Sequence, residues 1–268
     1  MRPRKRFGQH FLEPAWVAKL VAAIAPSPTD RFLEIGSGRG AITRPLAEKV
    51  AKVLAVEIDR DLAAGLQERS LPNVTVIAAD VLQADLGELV THELLATSDS
   101  KVRVAGNLPY NISSPILFRL LDAAADTGLL QDATLMLQKE VADRLLARPS
   151  TREYGVLTLM TALGADVKPL LELPPGAFRP APKVRSAVVR LTFRAAPPEV
   201  HHTQLVIDIV RTIFTQRRKM LSNALAPLAS GRGTTAQAAL DAAGLDSRRR
   251  PETLELAEVA RLADVFAG

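Results

Sequence analysis

The tetrapeptide Asn107-Leu108-Pro109-Tyr110 follows an apolar run, Lys101-Val-Arg-Val-Ala-Gly106, that reads as a buried strand. An Asn-x-Pro-aromatic turn at a strand tip has the parts needed to methylate the exocyclic amine of a base. That amine is a poor nucleophile because its lone pair is delocalised into the ring. An Asn side-chain oxygen and a nearby backbone carbonyl can accept its two N–H groups and favour the pyramidal, attacking form. Proline stiffens the turn, and the tyrosine ring offers a face on which a base can stack. The plainer reading is an ordinary strand-end turn, since Asn and Pro are common in turns. The neighbouring strand ends decide between the two.

Glu34-Ile-Gly36-Ser-Gly38-Arg-Gly40 lies between a first strand and its helix. Glycines at that point let a ligand approach the backbone. Gly-x-Gly-x-Gly alone is a weak signal, because dehydrogenases carry the related Gly-x-Gly-x-x-Gly. Two details favour S-adenosylmethionine over a dinucleotide. Ala41 and Ile42 follow Gly40, so the third dehydrogenase glycine is missing, and the acidic Glu34 suits a cationic donor better than a pyrophosphate. Glu57 closes the second strand, where a carboxylate grips ribose hydroxyls, with Ile58 beside it and Asp59 as the competing acid. Asp80 follows the third strand, placed to accept from the donor's adenine amine, with Val81 supplying a backbone N–H. A lone strand-end Asp is most often a helix N-cap. Motifs on four successive strand tips are harder to dismiss.

Strand-like runs at 31–35, 53–56, 74–77, 102–105 and 133–137 alternate with helical stretches at 14–25, 41–50, 61–70 and 115–125. That alternation predicts a Rossmann-like α/β fold, a mostly parallel sheet with helices on both faces. Runs 167–173 and 187–193 have no helix between them and are expected to pair antiparallel at the sheet edge. The double proline in Arg194-Ala-Ala-Pro-Pro-Glu199 reads as a linker, and only helical patterns follow. The expected domains are therefore 1–196, the donor-binding domain with a basic N-terminal arm, and 197–268, a small all-α domain.

The chain of 268 residues is 47% hydrophobic, carries a net charge of +5 and has no Cys. Disulfides, Cys-ligated zinc and thiol nucleophiles are excluded together. The four His show no metal-ligand spacing, so no metal is expected. No apolar run approaches a membrane span of roughly 20 residues. The basic start lacks a signal-peptide core, so the chain reads as a cytoplasmic monomer.

These motifs resemble the ribosomal RNA small-subunit adenine dimethyltransferases of the KsgA type. The resemblance covers nearly the whole chain and rests on Arg6-Phe-Gly-Gln-His-Phe-Leu12, Glu34 to Gly40, Val56-Glu-Ile-Asp59, Asn107 to Tyr110, Phe178-Arg-Pro-Ala-Pro-Lys-Val184 and Arg217-Arg-Lys219. It implies S-adenosylmethionine as donor and a pair of adjacent N6,N6-dimethyladenosines, near the 3′ end of small-subunit rRNA, as product. It also implies donor contacts from His10, Leu12, Gly36, Glu57, Asp80 and Asn107, with Gly38, Ile58 and Val81 beside them. Tyr110 and Phe178 would sandwich the target adenine. His10 stands where the family often has Asn. Read from its own surroundings, Phe178 sits in a stiff proline loop, where stacking a base is worth on the order of 1–3 kcal/mol; otherwise it is a core residue.

RNA phosphates need basic side chains. Candidates are Arg2, Arg4, Lys5 and Arg6 on the arm, Arg217, Arg218 and Lys219 on a helix, and Arg248 to Arg250, which equally suit a solvated face. Ala105 and Gly106 are small enough to leave room for the first methyl while the second arrives. Competing readings are a large-subunit rRNA adenine methyltransferase of the antibiotic-resistance type, a non-catalytic ribosome-assembly or transcription factor, and a nicotinamide reductase. The Phe178 loop with Arg217-Arg-Lys219 disfavours the first, the intact Glu57, Asp80 and Asn107 the second, and the glycine spacing the third.

Overall fold

The apolar runs pair into one seven-stranded sheet. The computed structural model describes residues 10–69, 71–95 and 101–268. The short strand β1 (Phe11–Leu12) and helix α1 (Pro14–Ile24) lead into β2 (Arg31–Ile35), α2 (Thr43–Ala47), β3 (Lys52–Glu57), α3 (Arg60–Gln67) and β4 (Val74–Ala78). Then come α4 (Leu86–Glu93), β5 (Val102–Asn107), α5 (Ser113–Thr127), β6 (Leu130–Gln138), α6 (Lys139–Leu145) and α7 (Val156–Gly164). β7 (Ala165–Leu173), β8 (Phe178–Arg179) and β9 (Ser186–Phe193) follow. The sheet order is β4-β3-β2-β5-β6-β9-β7, while β1 pairs separately with β8. The pairs among β2 to β6 are parallel, and β9 runs antiparallel to β6. Strand order reverses between β2 and β5. In open α/β sheets this is where a crevice forms at the carboxyl ends.

The expected helix at 41–50 is shorter than its sequence suggests. α2 stops at Ala47 because residues 48–51 turn the chain into β3, and the Ala51 N–H donates to the Asp30 carbonyl at 2.9 Å. Asp59 caps α3, its Oδ1 accepting from the Asp61 N–H at 3.1 Å. That places it in the helix cap rather than in the ribose role weighed against Glu57.

Helix α1 buries Val17, Leu20, Val21 and Ile24, the stripe its spacing predicts. Its C-terminal carbonyls are met by two arginines from the sheet. Arg103 donates to the carbonyls of Ile24 (2.8 Å) and Ala25 (3.1 Å), and Arg190 to those of Ala23 and Ile24, both at 2.8 Å. The Arg103 guanidinium also pairs with Asp30 at 2.7 Å and Asp132 at 3.0 Å. The strand cation thus satisfies helix-end carbonyls that have no partner inside the helix.

The chain divides into two compact units, 1–142 with 166–194, and 143–165 with 195–268. In the second, α8 (Thr203–Thr215), α9 (Leu221–Gly231), α10 (Ala236–Ala242) and α11 (Leu256–Ala267) enclose a core that includes Val206, Ile209, Val210, Ile213 and Val259. Residues 143–165 belong there too, a segment absent from the 197–268 expectation. The reason is apolar packing. Tyr154, Leu159 and Leu163 lie in the same core, and the Tyr154 hydroxyl donates to the Leu254 carbonyl at 2.6 Å.

Replacing Arg103 with Leu leaves the buried Asp132 only the more distant Arg190, at 4.0 Å, and takes from the end of α1 the donor to the Ala25 carbonyl and one of the two to Ile24. We expect a loss of about 3–5 kcal/mol in unfolding free energy, seen as a lower denaturant midpoint with an unchanged slope. A loss of only about 1 kcal/mol, the range of a surface pair, would contradict this role.

Candidate active site

Strand tips β2, β3 and β5 open onto a crevice that is open to solvent. It is lined by His10, Leu12, Gly36, Gly38, Glu57, Ile58, Val81, Asn107, Leu108, Pro109 and Tyr110, all singled out in the sequence. Phe11, Ser37, Arg39, Ile112 and Ile116 also line it and were not. Phe11 stands inside the Arg6–Leu12 motif, which was its only signal; the Arg39 guanidinium packs over its ring at 4.1 Å.

The turn after β2 is built for close approach. Gly36 has φ +73°, and a Cβ there would lie 3.5 Å from the Asn107 carbonyl. The two tips flanking the switch point are therefore separated by little more than backbone. Across the crevice, Glu57 is held from both sides: Oε2 accepts from the Gly38 N–H at 2.7 Å and Oε1 from the Asp59 N–H at 2.9 Å. Burial pushes its pKa up, while those two N–H groups oppose the rise. Each carboxylate oxygen keeps a second lone pair. Glu57 can therefore accept from ribose hydroxyls while tied to the loop.

Glu34 does not work as the sequence suggests. It is 1% exposed and does not line the cavity, and its Oε2 has no hydrogen-bond partner among the described residues. Burial drives its pKa to about 7, with Thr43 offsetting part of the rise and Glu57 adding to it. Near neutrality about half of it is protonated, and it lies buried under the loop rather than facing a cationic donor. Asp80 is likewise set back. Its Oδ1 accepts from the Leu82 N–H at 2.9 Å, and its neighbours Ala79 and Val81 line the cavity instead.

Asn107 ends β5. Its Nδ2 donates to the His10 carbonyl at 3.0 Å. A carbonyl only accepts, so the nitrogen end of the amide is assigned. Oδ1 is left as acceptor, with no donor of its own among the described residues. Tyr110 is fixed at its far end by the Ser186 hydroxyl, 2.6 Å from its own. Burial pushes the phenol pKa up, so Tyr110 stays neutral. Ser186 was missed in the sequence, although it stands two residues beyond the Phe178–Val184 motif.

Two expectations fail here. Phe178 has no exposed surface and packs in the core with Leu12, Val17 and Leu173. The β1–β8 pairing of Leu12 with Phe178 draws it inward, so it offers no open ring face. Ala105 and Gly106 give no room for a methyl either. Ala105 is fully buried, and a Cβ on Gly106 would come 2.7 Å from the Ile35 carbonyl. Gly106 instead lets β5 lie close against β2.

Of the basic residues, Arg2, Arg4, Lys5 and Arg6 lie outside the described residues. Arg217, Arg218 and Lys219 sit in the turn after α8, not on the helix. Arg217 donates to the Thr151 carbonyl at 3.0 Å and faces Glu252 at 3.9 Å, so it ties loops of the second unit together. Arg248 pairs with Asp246 and Arg249 with Glu258. Arg218 and Lys219 are exposed, with no ion pair among the described residues.

A parallel sheet with a reversal at β2/β5, a glycine turn, a strand-tip carboxylate and an Asn-x-Pro-Tyr turn define a Rossmann-like S-adenosylmethionine-dependent methyltransferase. The family described as ribosomal RNA adenine dimethylase matches residues 1–267. Proteins named ribosomal RNA small subunit methyltransferase A are 45% identical in Haemophilus influenzae and 44% in Acinetobacter baylyi. Each alignment covers 98% of this chain, and 90% and 92% of those proteins. A dimethyladenosine transferase from Plasmodium falciparum superposes with TM-score 0.77 at 24% identity, covering 94% of this chain and 96% of that one. The 23S rRNA methyltransferase ErmE gives 0.66 at 27%, covering 96% and 100%. The chain belongs to the ribosomal RNA adenine dimethylase family and is an S-adenosylmethionine-dependent rRNA adenine dimethyltransferase.

Gly106→Ala forces β5 from β2 and shifts Asn107. We expect kcat to fall roughly 100-fold, as displacement of about 1 Å can do, together with a lower melting temperature, since overpacking of this kind costs about 1–3 kcal/mol; unchanged turnover would contradict the close-packing role. Glu34→Gln tests the buried acid. Because its pKa is raised on folding, its contribution is whole below about 4.5 and is lost as pH rises through about 7. Denaturation at a series of pH values should show the wild type losing up to about 3 kcal/mol across that window and the variant losing much less.

Proposed function

We propose that this protein transfers methyl groups from S-adenosylmethionine to N6 of two adjacent adenosines, in a hairpin loop near the 3′ end of small-subunit rRNA, giving N6,N6-dimethyladenosine. It acts as a cytoplasmic monomer on a pre-assembled small subunit and contributes to that subunit's maturation. The observation that carries this reading is the Asn107 amide, whose nitrogen is engaged by the His10 carbonyl. The higher identity to small-subunit than to large-subunit relatives supports the choice of substrate.

Once bound, the donor supplies a methyl already activated by its sulfonium. The protein's part is placement. Gly36, Gly38, Glu57 and Val81 hold the donor. Asn107 Oδ1 and the Leu108 carbonyl accept the two amine protons and stabilise positive charge growing on nitrogen. Tyr110 carries the base on its ring. The methylated ammonium is acidic and loses its proton to solvent without a dedicated base. Phosphate contacts fall to Arg218 and Lys219 in the second unit, with Arg4, Lys5 and Arg6 on the arm, rather than to Arg217.

Asn107→Ala should lower methyl transfer roughly 100- to 1,000-fold, the usual cost of losing one such acceptor or donor, with RNA affinity within about twofold of wild type. Immature small and large subunits incubated separately with labelled donor, then digested to nucleosides, should yield label in N6,N6-dimethyladenosine from the small subunit alone. Label confined to large-subunit RNA would overturn the substrate assignment.

A further inference from the structure

We propose that Lys139, Lys183 and Arg185 form a cationic rim at one edge of the crevice that binds phosphates of the RNA strand beside the target adenosine, and that Glu172 holds two of them until a phosphate takes its place. The proposal rests on the reading that this site methylates adenosine in RNA. It adds a phosphate surface on the first unit to the cations assigned to the second unit and the arm.

Strand register places the rim. Asn107 pairs with Met136 on β6, and Gln138 pairs with Ser186 on β9. The Lys139 N–H continues that ladder, donating to the Arg185 carbonyl at 2.9 Å. Lys139 and Arg185 therefore stand past the level of Asn107, roughly 10 Å along the strand direction, at the same end of the sheet as the crevice. Ser186, the next residue, meets the Tyr110 hydroxyl at 2.6 Å. The rim is thus joined directly to the ring that carries the base. The segment Phe178-Arg-Pro-Ala-Pro-Lys-Val-Arg-Ser186 contains no acidic residue. It pairs with β1 at one end and holds Tyr110 at the other, while Pro180 and Pro182 fix φ between them. A loop held in this way loses little freedom when it binds. Lys183 is exposed, with no ion pair among the described residues.

Two cations converge on one carboxylate. Lys139 Nζ lies 3.4 Å from Glu172 Oε1, and Arg185 Nη2 lies 3.2 Å from Oε2. The three side chains stay open to water, at 33%, 62% and 52% exposure for Lys139, Arg185 and Glu172. Ion pairs so exposed add little to stability. They do hold two long side chains next to each other, at a spacing set by two anionic oxygens. Phosphate oxygens present similar geometry, and arginine meets them with paired donors. One carboxylate against two cations leaves positive charge over, and Lys183 adds to it. A phosphate displaces Glu172 at small cost because the contacts it replaces are weak.

The test measures affinity for immature small subunits over a range of monovalent salt at fixed magnesium. It compares the wild-type chain with Glu172→Gln, Lys183→Gln, Arg185→Gln and Arg185→Lys, with donor affinity by calorimetry as a control. Losing one phosphate contact should flatten the slope of log affinity against log salt by about 0.7. Lys183→Gln and Arg185→Gln should each show that change, and Arg185→Lys, which keeps the charge, should not. Glu172→Gln should bind the subunits about two- to fivefold more tightly, the span of an exposed ion pair, because the competing anion is gone. Donor affinity should be unchanged in every variant. Slopes that stay at the wild-type value in both Gln variants overturn the proposal, as does donor affinity that falls in step with subunit affinity. It is overturned equally if Glu172→Gln binds no more tightly than wild type, which makes that carboxylate a staple of the sheet edge. A wild-type chain that makes no dimethyladenosine on these subunits would instead sink the assigned activity itself.

Discussion

One carbonyl decides what Asn107 can do. An amide can present either end to a ligand, and the two ends do opposite chemistry. The nitrogen would donate toward a lone pair that must stay available for attack. The oxygen accepts from the N–H groups and draws that lone pair out of conjugation. The His10 carbonyl, 3.0 Å from Nδ2, orients the amide by taking one of its two N–H groups and leaves Oδ1 as the acceptor. The rest of the site follows from keeping that carbonyl, the β5 tip and the β2 tip in register.

The fold secures this register with groups far from the chemistry. Gly106 lets β5 sit against the Ile35 carbonyl, and Gly36 brings the donor loop to the Asn107 backbone. Helix α1 carries β1 and His10 at its N-terminal side. Its other end is fastened by Arg103 and Arg190 through the carbonyls of Ala23, Ile24 and Ala25. A salt cluster under the sheet thus fixes the backbone from which an active-site carbonyl projects. Glu34 has the opposite character. Burial raises its pKa to about 7, so it carries less charge at neutral pH than an ordinary carboxylate, whereas Glu57 has two backbone N–H partners that favour its charged form.

The sheet was legible because its strands are apolar runs that stop at residues with special work to do, namely Gly36, Glu57 and Asn107. Period and punctuation coincide there. What the sequence did not reveal depends on partners distant along the chain. A Phe in a proline-rich loop reads the same whether its ring faces solvent or core; the pairing of Leu12 with Phe178 decides it. Arg217 reads as a phosphate ligand until Thr151 and Glu252 are found around it. Residues 143–165 carry no strand or linker signature of their own and join the helical unit through Tyr154, Leu159 and Leu163.

The central claim concerns a single interatomic distance, and crystals containing S-adenosylhomocysteine and a substrate hairpin would measure it. The account predicts Asn107 Oδ1 within about 3 Å of the adenine N6, with Nδ2 still on the His10 carbonyl. An amide rotated so that nitrogen meets the base, or an N6 bound elsewhere with Oδ1 facing only protein, would contradict it.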